Sequence, residues 1–180
     1  MPEASDETLF AAWRAGDEAA FEALFRRWQA PLARHLTRML DDAATAEDLV
    51  VETFLRLHRH RDRVRADRPV KPLAWTIARN LARNRRRTQR LWGWLPLATA
   101  EPERSQPPPG DAEALGRVAA AFAALPAAQR ETCSLRLVGE LTIEEIAEVT
   151  GASVGTVKSR LFYGLRRLRT LLADLDPEKE

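Results

Sequence analysis

Residues 142–168, TIEEIAEVTGASVGTVKSRLFYGLRRL, decide which fold the chain adopts. Thr142 followed by Glu145 has the spacing of a capping box, in which the hydroxyl accepts from the Glu145 amide and the carboxylate reaches back to the Thr142 amide. The short helix so opened runs through Ile146, Ala147 and Val149 and ends at Gly151, which supplies a sharp break. Ser153 then caps a longer helix whose expected buried face is Val154, Val157, Leu161, Leu165, Leu168 and Leu172, at steps of three and four. Short helix, tight turn and long helix make a helix-turn-helix. With that face inward, Ser159, Phe162, Tyr163 and Arg166 turn outward, and Lys158 and Arg160 flank them. Two exposed aromatics beside cations suit a DNA major groove, where side chains meet base edges and cations hold phosphates. The plainer alternative is a helical hairpin with a solvated basic face, but it leaves the coincidence of cap, glycine break and outward aromatics without a reason.

Upstream, apolar residues keep the same helical spacing and strand signals are almost absent, so the expected fold is all-α. Leu9, Phe10 and Trp13 mark a first helix, which Gly16-Asp17 breaks and recaps; Phe21, Leu24, Phe25 and Trp28 stripe the next. Pro31 is expected to kink or restart that helix before Leu32, Leu36, Met39 and Leu40. Thr45 with Asp48 reads as the cap of a helix to about His60, and Pro72 as the first residue of one to about Arg90. From 91 to 112 the prolines at 96, 102, 107, 108 and 109 interrupt any pattern, so these residues read as a linker. Extended like polyproline at about 3.1 Å per residue, it would span roughly 65 Å. Leu115, Val118, Phe122 and Leu125 then begin a second helical domain, interrupted at Pro126. The organisation expected is a domain over 5–90, the linker over 91–112 and a domain over 113–175.

The helix after Pro72 carries arginines at 79, 83, 85, 86, 87 and 90 and no acid between the first and last of them. If Leu73, Ile77 and Leu81 face the core, Trp75, Arg79, Arg83, Arg86 and Arg90 form a stripe opposite, bordered by Asn80, Asn84 and Arg87. Such a face attracts a polyanion, an aromatic among arginines stacks on unpaired bases, and an amide can read a flipped base edge. Against this stands a structural alternative: cations that only solvate the helix, with Trp75 packed under a neighbouring loop. On the helix before it, Leu49, Val50, Phe54 and Leu57 face inward, which leaves Val51 and Leu55 outside between Asp48 and Glu52. Outward aliphatics among acids fit a protein-docking patch, or else scattered surface residues without consequence.

Composition narrows the classes further. Hydrophobic residues make up 45% of the chain, enough for real cores. Lys plus Arg number 28 against 26 Asp plus Glu, a formal charge of +2, so where the charge sits matters more than its total. One cysteine, Cys133, excludes an internal disulfide and is expected to pack inside the second domain; His35, His58 and His60 give no zinc spacing with it. No cofactor or metal is implied. The opening residues lack signal-peptide character and no apolar run is long enough to span a membrane, so the expected location is cytoplasmic.

Three segments resemble one family. Ala46-Glu47-Asp48-Leu49-Val50-Val51-Glu52-Thr53-Phe54-Leu55-Arg56-Leu57, then Thr76-Ile77-Ala78-Arg79-Asn80-Leu81-Ala82-Arg83-Asn84, then Leu141–Ala147 with Val154–Leu161, are similar in order to extracytoplasmic-function (ECF) sigma factors. The resemblance implies a sigma-2 domain, a sigma-4 domain and none between, in a non-enzymatic factor that directs RNA polymerase to promoters, often in a stress response. It implies that Asp48, Val51, Glu52 and Leu55 meet the clamp coiled coil of the polymerase β′ subunit. Trp75, Arg79, Asn80, Arg83 and Asn84 would melt and read the −10 element, and Lys158, Ser159, Phe162, Tyr163 and Arg166 would read the −35 element. Further implied partners are the polymerase β flap, promoter DNA and an anti-sigma factor. The linker would approach the RNA exit path, where Glu101, Glu103 and Asp111 could mimic an RNA backbone. Two positions depart from the family: Val51, where glutamine is usual, and Leu73, where tryptophan is usual.

Two rivals need different residues. A stand-alone helix-turn-helix regulator would leave the basic Trp75 helix and the Val51/Leu55 patch without a role. A nuclease or recombinase would need clustered carboxylates or a nucleophile beside a base, which the sequence does not offer.

Overall fold

The computed structural model describes residues 4–64, 69–92 and 112–173, which fold into eight α-helices and one 3₁₀ turn. In the first domain α1 is Asp6–Arg14, α2 Glu18–Leu40, α3 Ala43–His60 and α4 Val70–Trp92, with the 3₁₀ turn at Arg61–Arg63. In the second α5 is Ala112–Ala123, α6 Ala127–Leu137, α7 Ile143–Thr150 and α8 Val154–Leu171. Most of the expected linker, including Glu101, Glu103 and Asp111, lies outside the described residues.

Local chemistry sets the helix boundaries. Ser5 caps α1 by accepting from the Thr8 amide, and Asp17 caps α2 by accepting from Ala19 and Ala20. Gly16 has a φ of 101°, open to glycine at little cost, and this lets the chain reverse between the two helices. Pro31 neither ends nor restarts α2, which is continuous across it. Helix α3 corrects the expected cap. Asp42, not Thr45, is its N-cap; the Asp42 carboxylate accepts from the Thr45 amide at 3.1 Å and from its hydroxyl at 2.6 Å. That pair of bonds, the hydroxyl's above all, holds the Asp42 carboxyl below its ordinary pKa.

An aromatic cluster fills the first core. Trp13 and Phe21 lie 4.8 Å apart between ring centroids, Phe25 and Phe54 also 4.8 Å, and Trp28 stands edge-on to Trp75 at 5.8 Å. In the second domain α6 is wrapped by α7 and α8. Gly164 is buried there in place of a larger residue: a Cβ on it would lie 2.5 Å from the Cys133 sulfur. The buried face of α8 is therefore Val157, Leu161, Gly164 and Leu168, while Val154 and Leu165, expected inside, are each 37% exposed. A glycine lets α8 sit closer to α6 than the leucine-based stripe allowed, and this rotates the stripe by a residue. Cys133 is fully buried, as expected, and burial pushes its thiol pKa up to about 11.

The two domains pack against each other. Helices α2 and α4 of the first meet α6 and α7 of the second, and α5 touches α2.

Candidate nucleic-acid interface

The helix-turn-helix is built as its sequence dictates. Thr142 and Glu145 form the reciprocal capping box, with the Thr142 amide donating to the Glu145 carboxylate at 2.7 Å and the Glu145 amide to the Thr142 hydroxyl at 3.2 Å. Gly151 ends α7 in the left-handed region at φ 68°, and Ser153 caps α8 through the Thr156 amide. The exposed face of α8 presents Lys158, Ser159 and Arg166 around Phe162 and Tyr163, which are 62% and 55% exposed. Their rings meet edge to face at 5.2 Å, so the pair forms one raised aromatic ridge. Leaving that much aromatic surface in water costs free energy that a partner surface recovers. All five residues expected at this site share the outward face.

Helix α4 answers differently. Asn80, Arg83, Asn84, Arg85 and Arg87 are exposed, and Asn80, Arg83, Asn84 and Arg87 line one shallow open groove. Trp75 does not join them. It is fully buried, edge-on to Trp28, with Lys71 over its ring at 5.6 Å and its indole nitrogen against Gly139 of the loop after α6. A Cβ on Gly139 would stand 2.7 Å from that nitrogen, so the loop backbone seals the indole directly. The expected face was set by Leu73 and Ile77, but both are only partly buried; Ala74, Ala78, Leu81 and Ala82 form the inner face with Trp75. The packing alternative for Trp75, under a neighbouring loop, is the one realised in this arrangement. Arg79 is also withdrawn: its Nε donates to Glu131 at 2.6 Å, and the two side chains are only 12% and 15% exposed.

On α3 the outward placement of Val51 and Leu55 is as expected. Val51 and Leu55 are 52% and 45% exposed, Asp48 beside them is exposed, and Glu52 accepts from Arg56 at 2.7 Å. That bond is the first cause of the lowered Glu52 pKa, so this carboxylate stays ionised. Asp48, Val51, Glu52 and Leu55 stand at i, i+3, i+4 and i+7, on one helical face.

Sequence reasoning missed one residue of consequence, His35. It is completely buried on α2, and its Nδ1 lies 2.9 Å from the Ser134 hydroxyl on α6, across the seam between domains. Desolvation first, then the charges of Arg38 and Arg79, lower its pKa to about 3, so the ring is neutral. A lone histidine at an α-helical core position carries no sequence signal for such a contact.

A helical domain with a basic helix, joined to a helix-turn-helix domain, is the arrangement of the sigma-70 proteins. Residues 24–91 match Sigma-70 region 2 and residues 115–168 match Sigma-70, region 4. The chain is 36% identical over 166 residues to the ECF RNA polymerase sigma factor SigL of Mycobacterium tuberculosis, covering 89% of this chain and 93% of that one. It is 34% identical over 168 residues to the RNA polymerase sigma factor CarQ of Myxococcus xanthus, covering 92% and 97%. Among solved structures it resembles CnrH in complex with the cytosolic domain of CnrY, with a TM-score of 0.69 and 26% identity over 94% of this chain and 97% of that one. It also resembles the sigma factor RpoE in complex with the anti-sigma factor NepR from Bartonella quintana, with a TM-score of 0.72 and 25% identity over 85% and 96%. The chain belongs to the ECF sigma factors and functions as an RNA polymerase sigma factor. Matches in both domains do not favour the stand-alone regulator.

Proposed function

We propose that this chain, without catalysing a reaction itself, carries core RNA polymerase in the cytoplasm to promoters whose −35 element is read by α8 and whose −10 element is held open by α4. The observation that carries the reading is the Phe162–Tyr163 ridge, flanked by Lys158, Ser159 and Arg166 on a helix fixed at both ends of its turn by caps. Arg83, Asn80 and Asn84 would hold and read unpaired −10 bases, while Trp75 and Arg79, also expected there, are withdrawn from that face. Base stacking on an aromatic is worth roughly 1–3 kcal/mol, too little to open several pairs alone, so melting needs the polymerase as well. Asp48, Val51, Glu52 and Leu55 would seat on the β′ clamp coiled coil, and the second domain on the β flap. An anti-sigma factor is a further proposed partner, in line with the complex that RpoE forms with the anti-sigma factor NepR.

Transcription from a genomic promoter library by core polymerase plus this chain, with the transcripts sequenced, tests the reading; a library transcribed no better than by core alone rejects it. Arg166→Ala separates two roles for that residue. If Arg166 grips a base edge, the substitution costs about 1–3 kcal/mol of discrimination at a single −35 position. If it holds a phosphate, the substitution weakens all promoters alike and lowers the salt slope by about one. Unchanged affinity and unchanged choice would remove Arg166 from the reading face.

A further inference from the structure

A cleft of about 250 Å³ lies between α2, α4 and α6, and two of its three walls belong to no face assigned so far. Arg38 of α2, Arg79, Arg83 and Arg86 of α4, and Arg130 of α6 line it, and Glu131 of α6 is the one carboxylate among its lining residues. Five arginines against one glutamate leave four positive charges uncompensated. Among the described residues Arg79 alone of the five is ion-paired, to Glu131 at 2.6 Å.

The inner arginines are not a solvated fringe. Arg38 and Arg130 are half-buried and held by backbone carbonyls, Arg38 by that of Arg34 at 3.0 Å and Arg130 by those of Ala123 and Leu125 at 2.5 and 3.1 Å. The Nε of each has no hydrogen-bond partner. Burial first, and the charge of Arg34 second, lower the Arg38 pKa, as happens to a cation kept from both water and a counter-ion. Like charges held this close repel, and a bound anion removes that repulsion. The start of α6 adds to the field. Ala127 and Ala128 of its first turn also line the cleft, and its N-cap, Pro126, makes no side-chain cap hydrogen bond. Amides of an uncapped first turn carry the partial positive charge of a helix N-terminus.

Guanidinium groups beside a helix N-terminus are the donor set of a phosphate site, and each guanidinium can grip two oxygens. The volume lies below the roughly 300–1,000 Å³ of pockets for drug-sized ligands, so it suits a compact group. We propose that this cleft binds a diphosphate group, as inorganic pyrophosphate or as the end of a nucleoside diphosphate. Met39, the one large apolar side chain of the lining, is where an attached nucleoside would rest. A DNA strand is the poorer occupant, because its phosphates ride on an extended backbone while this cleft is walled on three sides. The assignment holds whether or not α4 reads the −10 element, since Arg38 and Arg130 stand on helices that carry neither expected DNA face.

Calorimetric titration of the full chain with sodium pyrophosphate, beside sodium sulfate and citrate at matched ionic strength, tests the site. Pyrophosphate should bind at least about tenfold more tightly than either. Ala128→Glu puts a carboxylate into the cleft at an exposed first-turn position, where an acid favours the helix. It should weaken pyrophosphate at least about tenfold relative to Ala114→Glu, the same charge change at an exposed position of α5 outside the cleft. Glu131→Gln, which removes the competing carboxylate, should tighten binding about fivefold. If Ala128→Glu fails to fold by circular dichroism, Arg38→Gln should give the same loss. ADP separates the sources: tighter binding than pyrophosphate assigns the site to a nucleotide, and equal or weaker binding to the inorganic anion, both in keeping with a diphosphate site. Pyrophosphate bound no better than sulfate or citrate, or bound equally by Ala128→Glu and Arg38→Gln, would overturn the proposal. So would a single-stranded oligonucleotide that loses affinity in Ala128→Glu while pyrophosphate shows no preference over sulfate, which would make the cleft a surface for DNA phosphates.

Discussion

Val51→Asp with Leu55→Asp is expected to abolish association with core polymerase, lowering affinity by at least about a thousandfold. If core polymerase docks on this face, as proposed, it would bury both positions, and each unpaired carboxylate taken out of water costs several kcal/mol. Both side chains stand in solvent in the free protein, at 52% and 45% exposure, so folding should change little, within about 0.5 kcal/mol per site. A native gel shift of the core enzyme, with the unfolding midpoint of the free variant beside it, separates the two effects. Retained binding would take the docking role away from this face of α3.

The second large effect lies inside the first domain. Trp28→Ala should destabilise it by about 3–5 kcal/mol, against a total of about 5–15 kcal/mol typical of a domain. Trp28 is 1% exposed, packs on Phe54 at 6.3 Å and Trp75 at 5.8 Å, and donates its indole N–H to Asp6 at 3.2 Å. Truncation opens a cavity where α2, α3 and α4 meet and leaves the Asp6 carboxylate with Arg27 alone of those two donors. The thermal midpoint should drop by at least about 12 °C for a domain of this size. A drop of only a few degrees would mean that the neighbouring rings close the gap.

The all-α fold, the two-domain division of helices and the helix-turn-helix were legible because their signals are local. A capping box, a glycine break and a three-four apolar rhythm act within a few residues, and α7 and α8 follow them closely. What failed depends on small residues. Ala74, Ala78 and Ala82 bury completely, yet a reading that ranks side chains by apolar bulk lets Leu73 and Ile77 set the face of α4. With the alanines given their due, Trp75 falls beside them and inward. Gly164 misled in the same way on α8. The seam was beyond reach for another reason: His35 and Ser134 are 99 positions apart, and nothing in either neighbourhood announces a partner. Of the residues expected to face DNA on α4, the pattern pointed to the helix but not to which members packing would cover: Trp75 and Arg79 are buried or nearly so.

Cys133 has a use that follows from its place against Gly164. It is the chain's one thiol, it is wholly enclosed, and burial pushes its pKa up to about 11, so the enclosed thiol stays protonated and unreactive. A thiol reagent can therefore attack only during the intervals when α6 and α8 come apart. Labelling without any engineered residue then becomes a clock for the breathing of the helix-turn-helix domain, and ligands that quiet that motion announce themselves as a slower reaction at a single known atom.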